Sequence, residues 1–313
     1  MAATKGGGFE VLMKTATTDI LYFETGPGNE PTLRVEPGER FRVVTQMNAG
    51  PWLDDHADGE ALRRKIRAGN PASGCIFVEG AHPGDLLEVR IHEITPHDIG
   101  FTHFGGSTGA MPAYFGAGGI GDHGRVVKIE KGRILWSDRL SLEARPMLGF
   151  VGTSPKRETR HNGWAGTWGG NLDMQEVSAG AAVYLPVEVE GALLHVGDMH
   201  ALQGDGEICG AGGIETGGSA VLECAVLPRP KSFNWPRVVN QSHIMVAAND
   251  KPAEAAFRSG LENLLLWMEE EYEIPRADGF LLLGQVLEAR VTQFVNPTYT
   301  YCLKVAKRYL EPS

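Results

Sequence analysis

Between Gly197 and Gly218 the chain reads GDMHALQGDGEICGAGGIETGG, with two aspartates, two glutamates, a glutamine and a histidine among eight glycines. Carboxylates and amides are expensive to bury without partners, and glycine weakens strands, so packing alone does not explain this composition. Asp198 and His200 stand two apart at the end of an apolar run, and Gln203, Asp205, Glu207 and Glu215 follow. A second polar group lies upstream in GWAGTWGGNLDMQEV, where Asn171 and Asp173 have the same spacing. On a strand, that spacing puts both side chains on one face. One imidazole and several carboxylates are the hard and borderline donors that suit zinc, manganese or another divalent ion. From Trp164 to Pro228 there is no lysine or arginine. Carboxylates without basic partners call for a cation from elsewhere.

The pattern predicts an open metal site with Asp173, His200 and Glu215 as protein ligands and a water in the remaining position. An ion so held lowers the pKa of water from about 15.7 to about 7, which gives a hydroxide nucleophile at neutral pH. Glu207 or Asp205 would shuttle the proton to the leaving group. Asn171 and Gln203, neutral donors and acceptors, would orient the substrate, and His103 is a further candidate contact. Plainer readings compete at each position. Asp205 beside Gly206 is a common turn former, a histidine at a strand end often bonds locally, and Glu215-Thr216 could open a solvated edge.

Rival chemistries are weaker. Cys209, close to Glu207, could be a thiol nucleophile, but a small buried residue entering a strand explains it as well. Ser107 in GGSTG lacks the lysine and second serine of a serine amidase, so a turn is the better reading. No G-x-G-x-x-G follows a strand and opens a helix, and there is no P-loop. The same acidic loop could serve a non-catalytic β-protein that binds calcium or a sugar. Calcium, however, takes oxygen ligands and has little use for imidazole.

The scaffold that must hold these residues is broadly defined by composition. The 313 residues suffice for one large or two medium units, and 42% hydrophobic with 22% charged content is that of a soluble globular protein. A net charge of −10 makes nucleic acid and anionic membrane poor partners. The N-terminal MAATKGGGFEVLMK has no apolar signal core, and no apolar run approaches a membrane span. Four cysteines without a C-x-x-C pair suit reduced thiols and a cytoplasmic location.

Most of the chain reads as short strands divided by Gly and Pro turns. Pro37-Gly38 divides two β-rich runs in Thr32–Gln46, and Pro83-Gly84 repeats the device in Phe77–Ile94, before alternating Leu87, Val89 and Ile91. Val126–Trp136 reads as a hairpin around Lys131-Gly132, Tyr184–Asp198 as another around Glu190-Gly191, and Ser219–Pro228 as a strand. The Gly- and aromatic-rich Thr95–Arg125 fits neither period and reads as a long ordered loop lining a cavity. Near the end, Phe257, Leu261, Leu264, Leu265, Met268 and Tyr272 form one helical stripe, with Pro252 in its first turn. Asp278 offers an N-cap for a second helix with Phe280, Leu283, Leu287 and Val291 as its stripe, and YTYCLKVAK closes as a strand. The expected fold is mainly β, a sandwich- or barrel-like body over 1–230 carrying the acidic site. A smaller α+β portion over 231–313 packs on that body.

The segments GGNLDMQEVSAGAAVYLPVEVEGALLHVGDMHALQGDGEICG and IETGGSAVLECAV resemble the acetamidase/formamidase family, with FVEGAHPGDLLEVRI and VTQFVNP in support. The resemblance runs from about Val35 to Pro297. It implies hydrolysis of short linear amides such as formamide and acetamide to the acid and ammonia, a largely β fold and homo-oligomeric assembly. Some members resemble cyclic imide hydrolases. Carried over residue by residue, it marks Asn171, Asp173, His200, Gln203, Asp205, Glu207 and Glu215. This chain has Asn48 where the resemblance leads one to expect an aspartate. Taken together, the sequence predicts a metal-dependent amidohydrolase, with zinc the best fit to the donors.

Overall fold

Leu87, Val89 and Ile91 alternate along the strand Asp85–Pro96, and all three are buried. That alternation seats the strand face-down on a core, as the spacing predicts. The computed structural model describes residues 13–48, 69–104, 109–117 and 123–310. Asp85–Pro96 pairs antiparallel with Gly218–Pro228 on one side and Ala182–Pro186 on the other, at the centre of a nine-stranded sheet. A twelve-stranded sheet holds Ala72–Val78, Ile99–Phe104, Met147–Gly152, Gly169–Asn171, Leu194–His200 and Ala211–Thr216. One core cluster takes Val35, Ile76, Leu148 and Val196 from this sheet and Phe41, Val89, Leu185 and Leu222 from the other. Two sheets sharing one apolar layer make a sandwich, so the expected mainly-β body is found.

The C-terminal portion continues the same backbone ladder. Arg237–Val239 pairs with Ala182–Pro186, and His243–Asp250, Tyr299–Ala306 and Glu288–Gln293 extend the nine-stranded sheet in that order. The helix Ala253–Tyr272 lays its stripe on this extension: Leu264 and Met268 are buried, and Phe257, Leu261, Leu265 and Tyr272 pack around them. The second helix differs from expectation. It runs Arg276–Val286 with Pro275 at its N-cap, so Asp278 sits in the first turn, where a carboxylate still favours the helix dipole. Phe280 is exposed and Val291 belongs to the following strand, so of the expected stripe only Leu283 is fully buried.

The turns also differ in what they join. Lys131-Gly132 closes a true hairpin, with Glu130 opposite Arg133. Pro37-Gly38, Pro83-Gly84 and Glu190-Gly191 instead hand the chain from one sheet to the other. Leu33–Val35, Ala72–Val78 and Leu194–His200 lie in the twelve-stranded sheet; Arg40–Thr45, Asp85–Pro96 and Ala182–Pro186 lie in the nine-stranded one. Turn residues alone do not reveal which sheet receives the next strand.

The segment Thr95–Arg125 is less loop-like than its composition indicates. It contains the strand Ile99–Phe104, which pairs with His123–Glu130 and Ala211–Thr216, and the short helix Pro112–Ala117. Ser107 lies outside the described residues. Among the described residues, no helix is long and apolar enough to cross a membrane.

Candidate active site

Asp198 and His200 close the strand Leu194–His200, all seven residues of which are buried. Leu194 and Val196 draw it into the inter-sheet core, between Met147–Gly152 and Ala211–Thr216, and so carry two polar side chains inside. The register sets His200 directly opposite Glu215. Simple alternation does not govern Asp198. Its backbone is left-handed (φ 53°), and Val196 and Met199, three residues apart, both enter the same core cluster. Asn171 and Asp173 meet by a similar device. The strand ends at Asn171, Asp173 turns left-handed (φ 44°), and Asn171 Nδ2 donates to Asp173 Oδ2 at 2.9 Å. Glu207 (φ 44°) and Asn70 (φ 56°) share that conformation. Such backbone costs most at Glu207, since Asp and Asn adopt it more readily, and its gathering around one cluster makes that cluster the candidate site.

His200 Nδ1 lies 2.8 Å from Gln203 Oε1, while Gln203 Nε2 donates to the carbonyls of Asp173 (2.7 Å) and Thr292 (3.0 Å). The amide is therefore oriented with its oxygen toward the ring, and the network assigns the proton to Nδ1. Nε2 then faces Glu215 Oε1 at 3.3 Å and Asp198 Oδ1 at 3.5 Å, with a hydrogen bond to neither. Asp173 Oδ1, Asp198 Oδ1, Glu207 Oε2 and Glu215 Oε2 are also buried without a hydrogen-bond partner. In two sets, Asp173–Asp198–His200 and His200–Glu207–Glu215, the donor atoms lie within 4.8 Å of one another. Bare carboxylate oxygens around a bare imidazole nitrogen fit a divalent ion.

Four carboxylates and one imidazole make a cluster that cannot be fully ionised without a cation. Burial, reinforced by the charge of Asp198, pushes Asp173 up to about 8. Burial also raises Glu215 to about 7 and holds Glu207 well above its ordinary value, the latter helped by Asp173. Burial pushes the His200 imidazole down, but the charges of Glu215 and Asp198 outweigh it and raise it well above normal.

Other acids of the lysine- and arginine-free run do find cations from distant segments. Glu176 takes Arg290 (2.5 Å) and Lys304 (3.1 Å), Glu188 takes Arg229, and Glu223 takes Arg90. Among the described residues, the ion pairs of Asp198 and Glu215 are to His200. The missing cation is thus particular to this cluster.

Asp205 lies apart from it. Its side chain is 68% exposed, pairs with Arg290 at 3.0 Å and accepts from Gln175. The reason is the solvent-facing turn it occupies, two residues before Glu207 dives inward. His103 sits opposite Ala211, four residues along that strand from Glu215, and outside both donor sets. Gln203 has its amide wholly committed to His200, Asp173 and Thr292, so it orients the site's own groups. Asn171 keeps a buried Oδ1 without a partner. Cys209 is half-buried, and burial raises its thiol, which weakens it as a nucleophile.

Three residues join the cluster without having been given a role in the sequence. Asp198 shares the two-residue spacing to His200 and could have been read from it. Asn70 Nδ2 donates to Asp198 Oδ2 at 3.1 Å, and Asn296 Nδ2 to Asp173 Oδ2 at 2.6 Å. Asn296 lies in VTQFVNP; Asn70 has no local signal. Asn48 lies 3.4 Å from Asn70.

Comparison with known proteins finds similarity to one family. The family model described as Acetamidase/Formamidase matches residues 155–235, which include Asn171, Asp173, Asp198, His200, Glu207 and Glu215. An acetamidase of Mycolicibacterium smegmatis is 52% identical over 59% of this chain, and the chain spans about 60% of that protein's length. The crystal structure of an acetamidase from Bacillus halodurans superposes with a TM-score of 0.84 at 28% identity, covering 94% of this chain and 98% of that one. One from Yersinia enterocolitica gives 0.85 at 28% identity, covering 98% and 96%. In sequence and in fold, the chain is similar to acetamidase/formamidase proteins.

Proposed function

We propose that this chain is a metal-dependent amidohydrolase that cleaves the C–N bond of small linear amides to carboxylate and ammonia. The observation that carries the reading is the convergence of four buried, unpartnered carboxylate oxygens on one bare imidazole nitrogen, with no lysine or arginine paired to them among the described residues. Asp173, Asp198 and His200 would hold the ion, with zinc the best match to mixed imidazole and carboxylate donors. When bound, a divalent ion supplies Lewis-acid polarisation and an acidified water.

The chain's own groups do the rest. Glu207, whose burial favours the protonated form, is suited to pass a proton to the departing nitrogen. Asn171 Oδ1, buried and unpartnered, can accept from the substrate's amide N–H. The near-complete burial of every donor favours a substrate with few atoms, as in the formamide- and acetamide-like class. Four free cysteines fit a cytoplasmic enzyme, and homo-oligomeric assembly belongs to the same reading.

The test is ammonia release from a panel of short amides, with metal analysis, before and after exhaustive chelation and after adding back zinc or manganese. Activity should vanish on stripping and return on reconstitution. Full turnover in metal-free protein would overturn the metal dependence, and silence across the panel would overturn the amidase.

A further inference from the structure

Each donor of the Asp173–Asp198–His200 set has one atom bare and its other atom capped by a neutral carboxamide. Asp173 Oδ2 accepts from Asn171 (2.9 Å) and Asn296 (2.6 Å), leaving Oδ1 bare. Asp198 Oδ2 accepts from Asn70 (3.1 Å), leaving Oδ1 bare. His200 Nδ1 is bonded to Gln203 (2.8 Å), leaving Nε2 bare. Among the described residues, no carboxamide caps Glu207 or Glu215.

We infer that Asn70 and Asn296 are positioning residues which, with Asn171 and Gln203, commit a single ion to Asp173, Asp198 and His200. The inference rests on reading the cluster as a metal site. A carboxylate free to rotate can present either oxygen. A capped one presents a chosen oxygen, with less entropy lost on binding. Carboxamides do this without bringing a positive charge that would compete with the ion. Arginine in the same places would neutralise the ligands.

Both residues are themselves held. The backbone N–H groups of Val295 and Asn296 donate to Gln293 Oε1 (3.1 and 3.0 Å), and Gln293 Nε2 donates to the Thr298 carbonyl (2.7 Å). The Asn70 carbonyl accepts from Asn162 Nδ2 at 3.1 Å. His200 limits the cluster to one imidazole-bound ion. Gln203 occupies Nδ1, so Nε2 is its single remaining donor, and the two donor sets cannot both use it at once.

Asn296→Ala and Asn70→Gly, glycine keeping the left-handed φ of 56° at position 70, test this, read by chelator competition for zinc, the visible spectrum of the cobalt-substituted protein and thermal unfolding of the metal-free form. Each variant should bind zinc about 10- to 100-fold more weakly, with shifted cobalt bands and an unchanged metal-free Tm. The wild-type chain should bind one ion. Zinc affinity within twofold of wild type in both folded variants would overturn the inference, as would two tightly bound ions per wild-type chain. Affinity loss matched by an equal loss of metal-free stability would also count against it. The wild-type stoichiometry decides even where a variant does not fold, and none of these readouts depends on amide turnover.

Discussion

Gly212 leaves open the space through which Glu207 reaches the cluster: a Cβ built on Gly212 would fall 1.8 Å from Glu207 Cγ and 2.5 Å from its Oε1. Gly149 does the same for the aspartates, since a Cβ there would meet Asp173 Oδ1 at 2.5 Å and Asp198 Oδ2 at 2.9 Å. Some of the glycines around this site therefore make room for its own side chains. Gly212→Ala should fold and retain metal while kcat falls by roughly 10²-fold, the effect of displacing a reacting group by about an ångström. Gly149→Ala should lose metal as well. Bound metal and kcat for the pair check this, and wild-type turnover in Gly212→Ala would refute it.

His200→Ala and Glu207→Gln should separate holding from proton transfer. The first removes a donor with two carboxylates facing it, so metal and activity should go together. The second keeps size and most hydrogen bonding. It should retain metal while kcat drops by roughly 10²–10⁴. If both variants keep wild-type turnover, the cluster is not the site.

Much of this arrangement was legible in the sequence, for a physical reason. Asp173, His200, Glu207 and Glu215 stand close together in the chain, and ligand-rich stretches free of lysine and arginine are unusual. The remainder depended on distance. Asn70 and Asn296 reach Asp198 and Asp173 from 128 and 123 residues away. Asp205 and Glu207 look alike in the chain, but Arg290, supplied by a remote strand, pairs with the first and leaves the second inside. The sandwich was readable from strand spacing. The crossing of Pro37-Gly38 and Pro83-Gly84 between sheets was not, because a turn's residues report its local geometry and not its strand partners.

Acidity should control metal uptake. Asp173 and Glu215 have values raised to about 8 and 7, so the metal-free fold holds protons that an ion must displace. Zinc affinity should climb as pH rises from 6 to 8, with proton release visible by calorimetry in two buffers. The same shifts set the stability of the stripped protein. Folded values above the unfolded ones stabilise fully at low pH, and that contribution is lost as pH rises from about 4 to 8. The stripped protein should therefore melt lower at pH 8 than at pH 5, and zinc should abolish the difference. Equal Tm values for the stripped protein at both pH values would contradict these shifts.

Two substitutions should be silent in catalysis. Asp205→Asn removes an exposed partner of Arg290 and should alter stability by no more than about 1 kcal/mol while leaving kcat intact. Cys209→Ser should keep most of the turnover, since the thiol lies outside both donor sets. Loss of activity in a well-folded Cys209→Ser protein would favour a covalent mechanism instead.

The three turns that pass the chain between sheets bear on how the molecule forms. A hairpin can close early on its own local contacts, but a strand entering the opposite sheet must wait for partners made elsewhere. Arg40–Thr45 is such a strand, with Thr45 opposite Gly218, 173 residues further along. Contacts so distant carry a large loop-closure entropy before they return any energy, which predicts slow and highly cooperative folding. Refolding from denaturant should then show the sandwich and the metal-binding capacity appearing in the same phase. Local pairing of Leu194–His200 with Ala211–Thr216 would gather His200 and Glu215 first, and Asn70 and Asn296, arriving from 128 and 123 residues away, would join the site only in the last act of folding.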